Sequence, residues 1–586
     1  MAGKPTPAFY ALVALVVIAL LSFAVYRIAQ RVGGDNANNV VKKQGEDIDP
    51  GKLGGVGSEG VESPDSAGIT TVQEYEFIPS QKLPPVQGVA AYQPLEDNTI
   101  KFALNVWAGW APIIYANDGF AANKVWKTAD GKEFKVELVL IDDPVQMRDA
   151  YAAGNVHIGW ATLDMVPLFM ESFVDRSGKP RDSRIMPRIY QQVDWSNGGD
   201  GIVVRENIKT VADLRGKKIV LAENSPSQYF LLNMLVAGGV QPSEVDFVFT
   251  QDAFAAAAAF NAQRDISACV SWAPDIYNLS EVRGNRMLVT SATANKLIAD
   301  VWFARADFAN DHSDLVEGLV RGIFDAMVEL KTDNGKQKVA QLMATGYSLP
   351  ANEALAMLGD AHSTNWAENY QFFVNRNNPT NFERVWNQAY YLYRRIGKIS
   401  HQPVPFDQVM DFSLITKLGQ EEKYSVQVDE YRVQFVPKTT SEVREAEEIL
   451  TNTVVIHFMP NSHNLYEKVV ENVSGQKVER MYDPNVELVL EEIAKLAGQF
   501  GRASIIIEGH TDASMKGRVN ESAVKELSMD RANAVKQALV EKFPTLDANQ
   551  FNADGLGWDR PADPGDPRNH AKNRRVEIKI YPTEAE

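Results

Sequence analysis

"GGDGIVVRENIKTVADLRGKKIVLAENSPSQYFLLNMLVAGG", residues Gly198 to Gly239, decides how the body of this chain is built. A β-branched run (Ile202, Val203, Val204) reads as a strand. "VADLRGKKIVLAEN" follows as a helix start leading into a second strand at Ile219 to Ala222. "SPSQYFLLNMLVAGG" then reads as a helix, with proline in its first turn and glycine just past its end. Two strands and a helix inside 42 residues call for a sheet with helices packed on its faces.

The alternation continues on both sides. Upstream lie the strands "IKFALNVWAG" (Ile100–Gly109), "KVELVLID" (Lys135–Asp142) and "VHIGWAT" (Val156–Thr162), with "DMVPLFMES" after the third. Downstream come "VDFVFT" (Val245–Thr250), "AFAAAAAFNAQ" (Ala253–Gln263) and "ISACVSWAP" (Ile266–Pro274). Such alternation implies a doubly wound α/β architecture with ligands at the carboxyl ends of the strands. About 320 residues suit two such lobes and a cleft. From Ser313 to Thr416 the pattern is helical, as in "FERVWNQAYYLYRRIG" (Phe382–Gly397).

A connector follows, with a polar strand-like stretch "YSVQVDEYRVQFV" (Tyr424–Val436) and a charged helix "SEVREAEEIL" (Ser441–Leu450). The last segment reads strand "TVVIHF", helix "NVELVLEEIAKLAGQF", strand "SIIIEG", helix "MDRANAVKQALVEKF" opened by Arg531, a loop over Asn552 to Trp558, and strand "RRVEIKIY". The boundaries are residues 1–31 for an N-terminal segment, 32–97 for a linker, 98–416 for the two-lobed body, 417–450 for the connector and 451–586 for the last domain.

Ala8 to Tyr26 carries no charge over 19 residues, close to the ~20 that cross a bilayer. It reads as a single-pass anchor; a cleaved signal peptide using Ser22-Phe23-Ala24 is the alternative. Lys4 precedes the span, whereas Arg27, Arg31, Lys42 and Lys43 follow it, which by charge alone puts the body in the cytoplasm. The chemistry of the domains overrules that orientation. Residues 32–97, rich in Gly, Pro, Asn, Asp and Glu, read as a flexible tether.

Composition sets exclusions. A net charge of −17 argues against nucleic acid and polybasic membrane contact. One cysteine, Cys269, excludes an internal disulfide and a cysteine metal cluster, and it reads as a small buried apolar residue. Gly216-Lys217-Lys218 lacks the phosphate-loop pattern, and eight histidines show neither triad nor metal spacing. No enzyme, no metal and no cofactor are expected.

"VVIHFMPNS" with the leucine three residues on (Val454–Leu465), "IIIEGHTDAS" (Ile505–Ser514), "LSMDRANAVKQAL" (Leu527–Leu539), "NADGLGWDRP" (Asn552–Pro561) and "NRRVEIKI" (Asn573–Ile580) occur in one order. Together they resemble the OmpA-like peptidoglycan-binding domain over about 130 residues. The resemblance implies that Asp512 takes the ammonium, and Arg531 the carboxylate, of a diaminopimelate stem. An aspartate and an arginine fork suit such a zwitterion. Thr511, Asn573 and Arg574 are the next expected contacts, and an Asp512–Arg531 surface pair is the alternative. The loop "MKGRVNESAVKE" between the two charges is longer than the family's, which puts transfer to Asn520 in doubt. His510 reads as structural.

The body resembles periplasmic substrate-binding proteins of the nitrate/sulfonate/taurine type of ABC importer. The carriers are Leu104–Phe120, Ala153–Pro167, Gly198–Gly239 and Ile266–Asp275. One branch of that fold makes a pyrimidine precursor with a cysteine-rich motif, which a single cysteine cannot supply. The expected fold class is thus α/β: a two-lobed periplasmic binding protein fold (type II-like), a small α+β OmpA-like sandwich and one transmembrane helix. Expected cleft contacts are Trp107, Trp110, Thr162, Asp164, Asp200, Ser225, Ser227, Gln228, Trp272 and Asp275. Tryptophans at strand ends also serve as core, and Ser225 and Ser227 also serve as helix caps. The helix start favours an anion, the acids with tryptophan favour an amine, and a small zwitterion satisfies both.

The expected function is a solute-binding protein tethered to the inner membrane and to peptidoglycan, with its bulk in the periplasm. An ABC permease or another inner-membrane complex is the expected further partner. The alternative is a structural tether or docking platform whose lobes bind no ligand.

Overall fold

Inner strands covered by helices on both faces must be apolar nearly throughout. That is the state of β4 (Ile158–Thr162) and β11 (Ala299–Arg305), buried at every position. The computed structural model describes residues 61–62, 75–80, 82–454, 456–473, 476–562, 564–565 and 570–583. The expected anchor at Ala8–Tyr26 lies outside the described residues. Among the described residues no helix is long and apolar enough to cross a membrane.

β4 and β11 are the middle of a seven-stranded sheet. Its other strands are β1 (Thr99–Leu104), β2 (Trp126–Lys127), β3 (Glu133–Leu140), β5 (Pro187–Ser196) and β12 (Ala361–Ser363), in the order β12-β5-β11-β4-β1-β3-β2. β1 is parallel to β3 and β4, and β11 is antiparallel to β4 and β5. A second sheet, of β6 (Asp200–Arg205), β7 (Lys218–Ala222), β8 (Asp246–Thr250), β9 (Ala268–Trp272) and β10 (Asn285–Thr290), has the order β10-β6-β9-β7-β8. The chain passes between the sheets twice, through Asn197–Gly199 and again between Thr290 and Ala299. This is a two-lobed α/β fold with a double crossover.

Two helices position the cleft. Helix α1 (Pro226–Ala237) follows β7, and helix α2 (Phe382–Arg395) turns Phe382, Val385, Trp386, Ala389, Tyr390 and Tyr393 inward at helical spacing. Asn381 Oδ1 caps α2 by accepting from the Arg384 amide at 3.0 Å.

The C-terminal sheet contains β13 (Leu450–Val454), β16 (Ala503–Gly509), β17 (Phe551–Gly555) and β18 (Val576–Pro582), in the order β13-β18-β16-β17. A separate hairpin joins β14 (Lys468–Val473) to β15 (Gln476–Met481). Helix α3 (Val486–Gln499) and helix α4 (Glu521–Lys542) complete the domain. The backbone of α4 lies directly on the sheet: a Cβ at Gly509 would sit 1.9 Å from the Ser528 carbonyl oxygen, and one at Gly555 2.4 Å from that of Lys525.

Several expectations need correction. α4 starts ten residues before Arg531, because Asn520 caps it by accepting from the Ser522 amide at 3.1 Å; Arg531 therefore sits inside the helix. The expected loop at Asn552–Trp558 begins as strand β17, paired in parallel with β16. The stretch Tyr424–Val436 is not a strand. Its Val426, Val428 and Val436 point to solvent, and the Glu430 and Tyr431 amides donate instead to Glu368 Oε1. The charged helix shrinks to Thr440–Val443. The tether is bound to the body where it is described: Tyr75 hydroxyl donates to Val236 O at 2.8 Å, the Ala90 amide to Ala152 O at 3.1 Å, and Leu83 is buried.

Replacing Gly509 with alanine drives a methyl into backbone that has nowhere to go. We expect Gly509→Ala to cost about 1–3 kcal/mol in chemical denaturation. Gly359→Ala, whose Cβ meets nothing within 4 Å, is the control and should change stability by less than about 0.5 kcal/mol.

Candidate functional site

Carboxylates gather where the two lobes meet. In β11, Asp300 pairs in register with Thr162 at the end of β4 and with Asp194 in β5. Asp164 follows β4, and Asp200 opens β6 at the crossover. All four aspartates are buried. Asp164 is pushed up to about 7, chiefly by burial, with the Thr162 and Tyr393 hydroxyls pulling back and Asp200 adding to the rise. Asp200 is pushed up to about 6 by burial, despite a 2.7 Å bond from Ser196 Oγ. Asp194 is raised further, by burial first and with Asp200 adding, while the Trp107 indole and a hydrogen bond from Asp300 pull back. Asp300 is raised by burial first, then by Asp194 and Asp200. The groups acting most strongly on these four include no lysine or arginine.

Polar and aromatic groups surround them. Trp107 Nε1 donates to Asp194 Oδ1 at 3.3 Å, and a Cβ on Gly199 would lie 2.4 Å from the Trp107 ring. Tyr393 hydroxyl donates to Asp164 Oδ2 at 3.1 Å. The Tyr229 hydroxyl is fully buried, and the charge that acts on it most is Asp164. From the other lobe, Tyr277 hydroxyl lies 2.7 Å from Asp360 Oδ1 and ties the lobes together.

Of the ten expected cleft residues, Trp107, Thr162, Asp164 and Asp200 come together here. Trp110 does not: it is fully buried, donates to Asn105 Oδ1 and packs edge-on to Phe102, so it is core. Ser225 does not cap α1; its hydroxyl donates backward to Ala222 O at 2.9 Å. Ser227 Oγ, on the first turn of α1, is buried without a partner, and Gln228 Oε1 accepts from the Asn224 amide. Trp272 pairs in register with Asp200, half-buried. Asp275, half-buried, is raised by burial and then by Asp252, not by the four-aspartate cluster. Asp194 and Asp300 were missed, although a lone acid in the otherwise uncharged runs "QQVDWS" and "IADVWFA" was their signal.

In the C-terminal domain Arg531 and Asp512 are both fully buried, and they do not pair as the surface alternative requires. Arg531 Nη1 and Nη2 each lie 2.7 Å from the carboxylate of Glu62, and its Nε donates to Ser462 O at 3.0 Å. Asp512 Oδ2 accepts from Arg574 Nε at 2.6 Å, Oδ1 accepts from the Ser514 amide at 2.7 Å, and His570 Nδ1 is 3.6 Å away. Thr511 Oγ1 is buried without a partner, and Asn573 Oδ1 accepts from the Ala562 amide.

His510 has neighbours that its sequence spacing conceals. Its nitrogens and the carboxylates of Glu508 and Glu577 offer ligand atoms all within 4.8 Å of one another. The same carboxylates already hold Arg444 and Arg575, each at 2.5 Å, with Lys579 at 3.9 Å from Glu508. Burial, then Arg575, pushes the imidazole down to about 3. A divalent ion would add charge to a balanced network, so we read the cluster as the ionic seam between β16 and β18.

Residues 481–575 match the OmpA family model, and residues 189–333 match the NMT1/THI5 like model. Over 114 residues the chain is 33% identical to the outer membrane protein Omp38 of Acinetobacter baumannii, covering 19% of this chain and 30% of that protein. Over 243 residues it is 26% identical to the taurine-binding periplasmic protein of Escherichia coli, covering 40% of this chain and 69% of that one. The periplasmic aliphatic sulphonate binding protein SsuA from Escherichia coli aligns with 53% of this chain at 19% identity and a TM-score of 0.40. The chain joins an NMT1/THI5-like substrate-binding unit to an OmpA domain.

Raised carboxyl groups make the ligand-free protein sensitive to alkali. Folding favours their protonated form, so the stability they supply is full below pH 4 and is lost as pH rises through 6 to 8. In thermal melts, Asp194→Asn and Asp300→Asn should flatten the fall in Tm between pH 5 and pH 8 while leaving Tm near pH 5 almost unchanged. A parallel curve for both variants would rule out Asp194 and Asp300 as the cause.

Proposed function

We propose that this chain is a cell-envelope solute receptor. Its lobes close on a small molecule carrying an ammonium group, and its C-terminal domain holds peptidoglycan through Arg531 and Asp512. Residues 8–26 would supply a single inner-membrane anchor, with the lobes and the wall-binding domain in the periplasm and an ABC permease as the natural recipient of the solute.

The observation that carries the solute class is the set Asp164, Asp194, Asp200 and Asp300, buried between the lobes without a cationic partner among the groups that act on them most. A bound cation takes the place of their protons. One ammonium about 4 Å from one carboxylate gains about 4 kcal/mol at an effective dielectric near 20. Trp107, already bonded to Asp194, offers a ring face for the same charge. The lobe-bridging contacts, Tyr277 to Asp360 and Trp107 over Gly199, belong to the closed form and favour it once both lobes hold the ligand. Taurine, for which one relative is named, carries an ammonium as well as a sulfonate. The first turn of α1 is the fitting place for the anionic end of such a zwitterion.

Calorimetry of the full chain at pH 7.5 with taurine, ethanesulfonate and putrescine tests the class. Taurine or putrescine should bind with release of protons, affinity should rise with pH between 6 and 8, and Asp194→Ala should weaken binding at least tenfold. Ethanesulfonate should give no heat. Heat from ethanesulfonate alone would reverse the assignment, and silence with all three would leave the lobes as a docking platform.

For the wall-binding half, Asp512→Ala and Arg531→Ala should each abolish co-sedimentation with purified sacculi. Binding retained by both variants would refute the role given to these charges.

A further inference from the structure

The Arg531 pocket holds a piece of its own chain. Glu62, from the segment expected to be a free tether, forms a two-pronged ion pair with Arg531, with both oxygens at 2.7 Å from the guanidinium and both side chains 0% exposed. Asn461, at a φ of +63°, reads the peptide around it. Its Oδ1 accepts from the Val61 and Glu62 amides at 2.6 and 3.0 Å, its Nδ2 donates to Glu62 O at 3.3 Å, and its own amide donates to Glu62 Oε2 at 3.3 Å. The Val61 side chain is buried among Ala523, Val524, Leu527 and Trp558. A short peptide with a carboxylate is therefore bound at every kind of group it has: charge, backbone and side chain.

We propose that Glu62 is a built-in surrogate for the ligand carboxylate, so that the tether and a peptidoglycan stem compete for Arg531 and Asn461. The proposal rests on the peptidoglycan reading of this site. It follows from what the pocket costs when empty. A guanidinium withdrawn from water and left without a carboxylate is strongly destabilising, so the protein gains by keeping one there. Arg574 does the complementary task at Asp512, where a cation belongs. Glu62 and Arg574 together imitate the two ends of a zwitterion.

Competition within one chain lowers apparent affinity by the fraction of molecules in which the pocket is open. A surrogate bound nine-tenths of the time weakens the site roughly tenfold. A soluble stem fragment then binds poorly, whereas the dense stems of an intact wall displace the segment. Asn461 becomes a stem-reading residue alongside Arg531, recognising the amide that precedes the carboxylate.

Two measurements on the full chain test this. Glu62→Gln keeps the shape and removes the charge; it should bind sacculi roughly tenfold more tightly than the parent. Val61→Cys reports the contact without any ligand, since the native Cys269 is buried and its thiol is pushed up to about 12, leaving a low labelling background. The introduced thiol should react slowly with maleimide, and at least tenfold faster when Arg531→Lys removes the fork or when a diaminopimelate-containing stem peptide is added. Unchanged sacculus affinity in Glu62→Gln, while Arg531→Ala loses binding, would overturn the competition. Fast labelling of Val61→Cys that ignores Arg531→Lys would overturn the contact itself. If neither parent nor Glu62→Gln bound sacculi while labelling still responded to Arg531→Lys, the peptidoglycan reading would fall and the competition with it.

Discussion

A charge taken out of water must meet its opposite or be neutralised, and both sites of this chain are shaped by that rule. In the C-terminal domain the buried charge is positive. A buried guanidinium must be given a carboxylate, and Glu62 supplies one to Arg531. Between the lobes the buried charge is negative. Carboxylates can neutralise themselves, and Asp194 and Asp300 do so by holding protons at pH values where an exposed aspartate would not. The same physics thus yields two different resting states, one filled by a side chain and the other by protons.

The two-lobed body and the C-terminal domain are also joined by side-chain contacts. Asn197, in the first crossover between the lobes, accepts at its Oδ1 from Tyr431 of the connector and from Arg502 of the C-terminal domain, each at 2.8 Å. Its Nδ2 donates to Gly359 O, next to Asp360, which the Tyr277 hydroxyl reaches from the other lobe. Arg384 of helix α2 pairs with Glu491 of helix α3 at 2.9 Å, and Lys495 Nζ donates to Gln388 Oε1 at 2.7 Å. The C-terminal domain is therefore packed against the crossover between the lobes, not suspended from a loose connector.

What was legible in the sequence follows from how local each signal is. The apolar runs of β4, β7, β16 and β18 are set by burial on short contiguous segments, and they stand where the sequence puts them. The start of α4 was misread because its capping residue, Asn520, sits in a polar stretch that looks like a loop. Strand β17 was misread because Asn552, Asp554 and Gly555 are turn formers. There they serve a different need, since Gly555 lets the α4 backbone touch the sheet. Asp512 and Arg531 stand out in the sequence because a motif carries them. Asp194 and Asp300 were missed because only three-dimensional pairing joins them: they are more than 100 residues apart and neighbours only through β-register. The Glu62–Arg531 pair, separated by 469 positions, has no sequence signal at all.

The sign of the cleft charge bears on a choice that likeness to sulfonate-binding proteins leaves open. Protonated aspartates are hydrogen-bond donors, so an acid-lined cleft could in principle grip sulfonate oxygens. That would require every acid in it to keep its proton at neutral pH. Asp164 at about 7 and Asp200 at about 6 are ionised in good part there. An incoming anion would have to restore those protons before it could bind, and each carboxylate left charged would oppose it by about 4 kcal/mol at 4 Å and a dielectric near 20. An ammonium faces the reverse balance, since it is attracted by the acids already ionised and promotes loss of the remaining protons. Proton release and proton uptake are opposite in sign, so the direction of that exchange, rather than affinity, separates a cleft built for a cation from one built for an oxyanion.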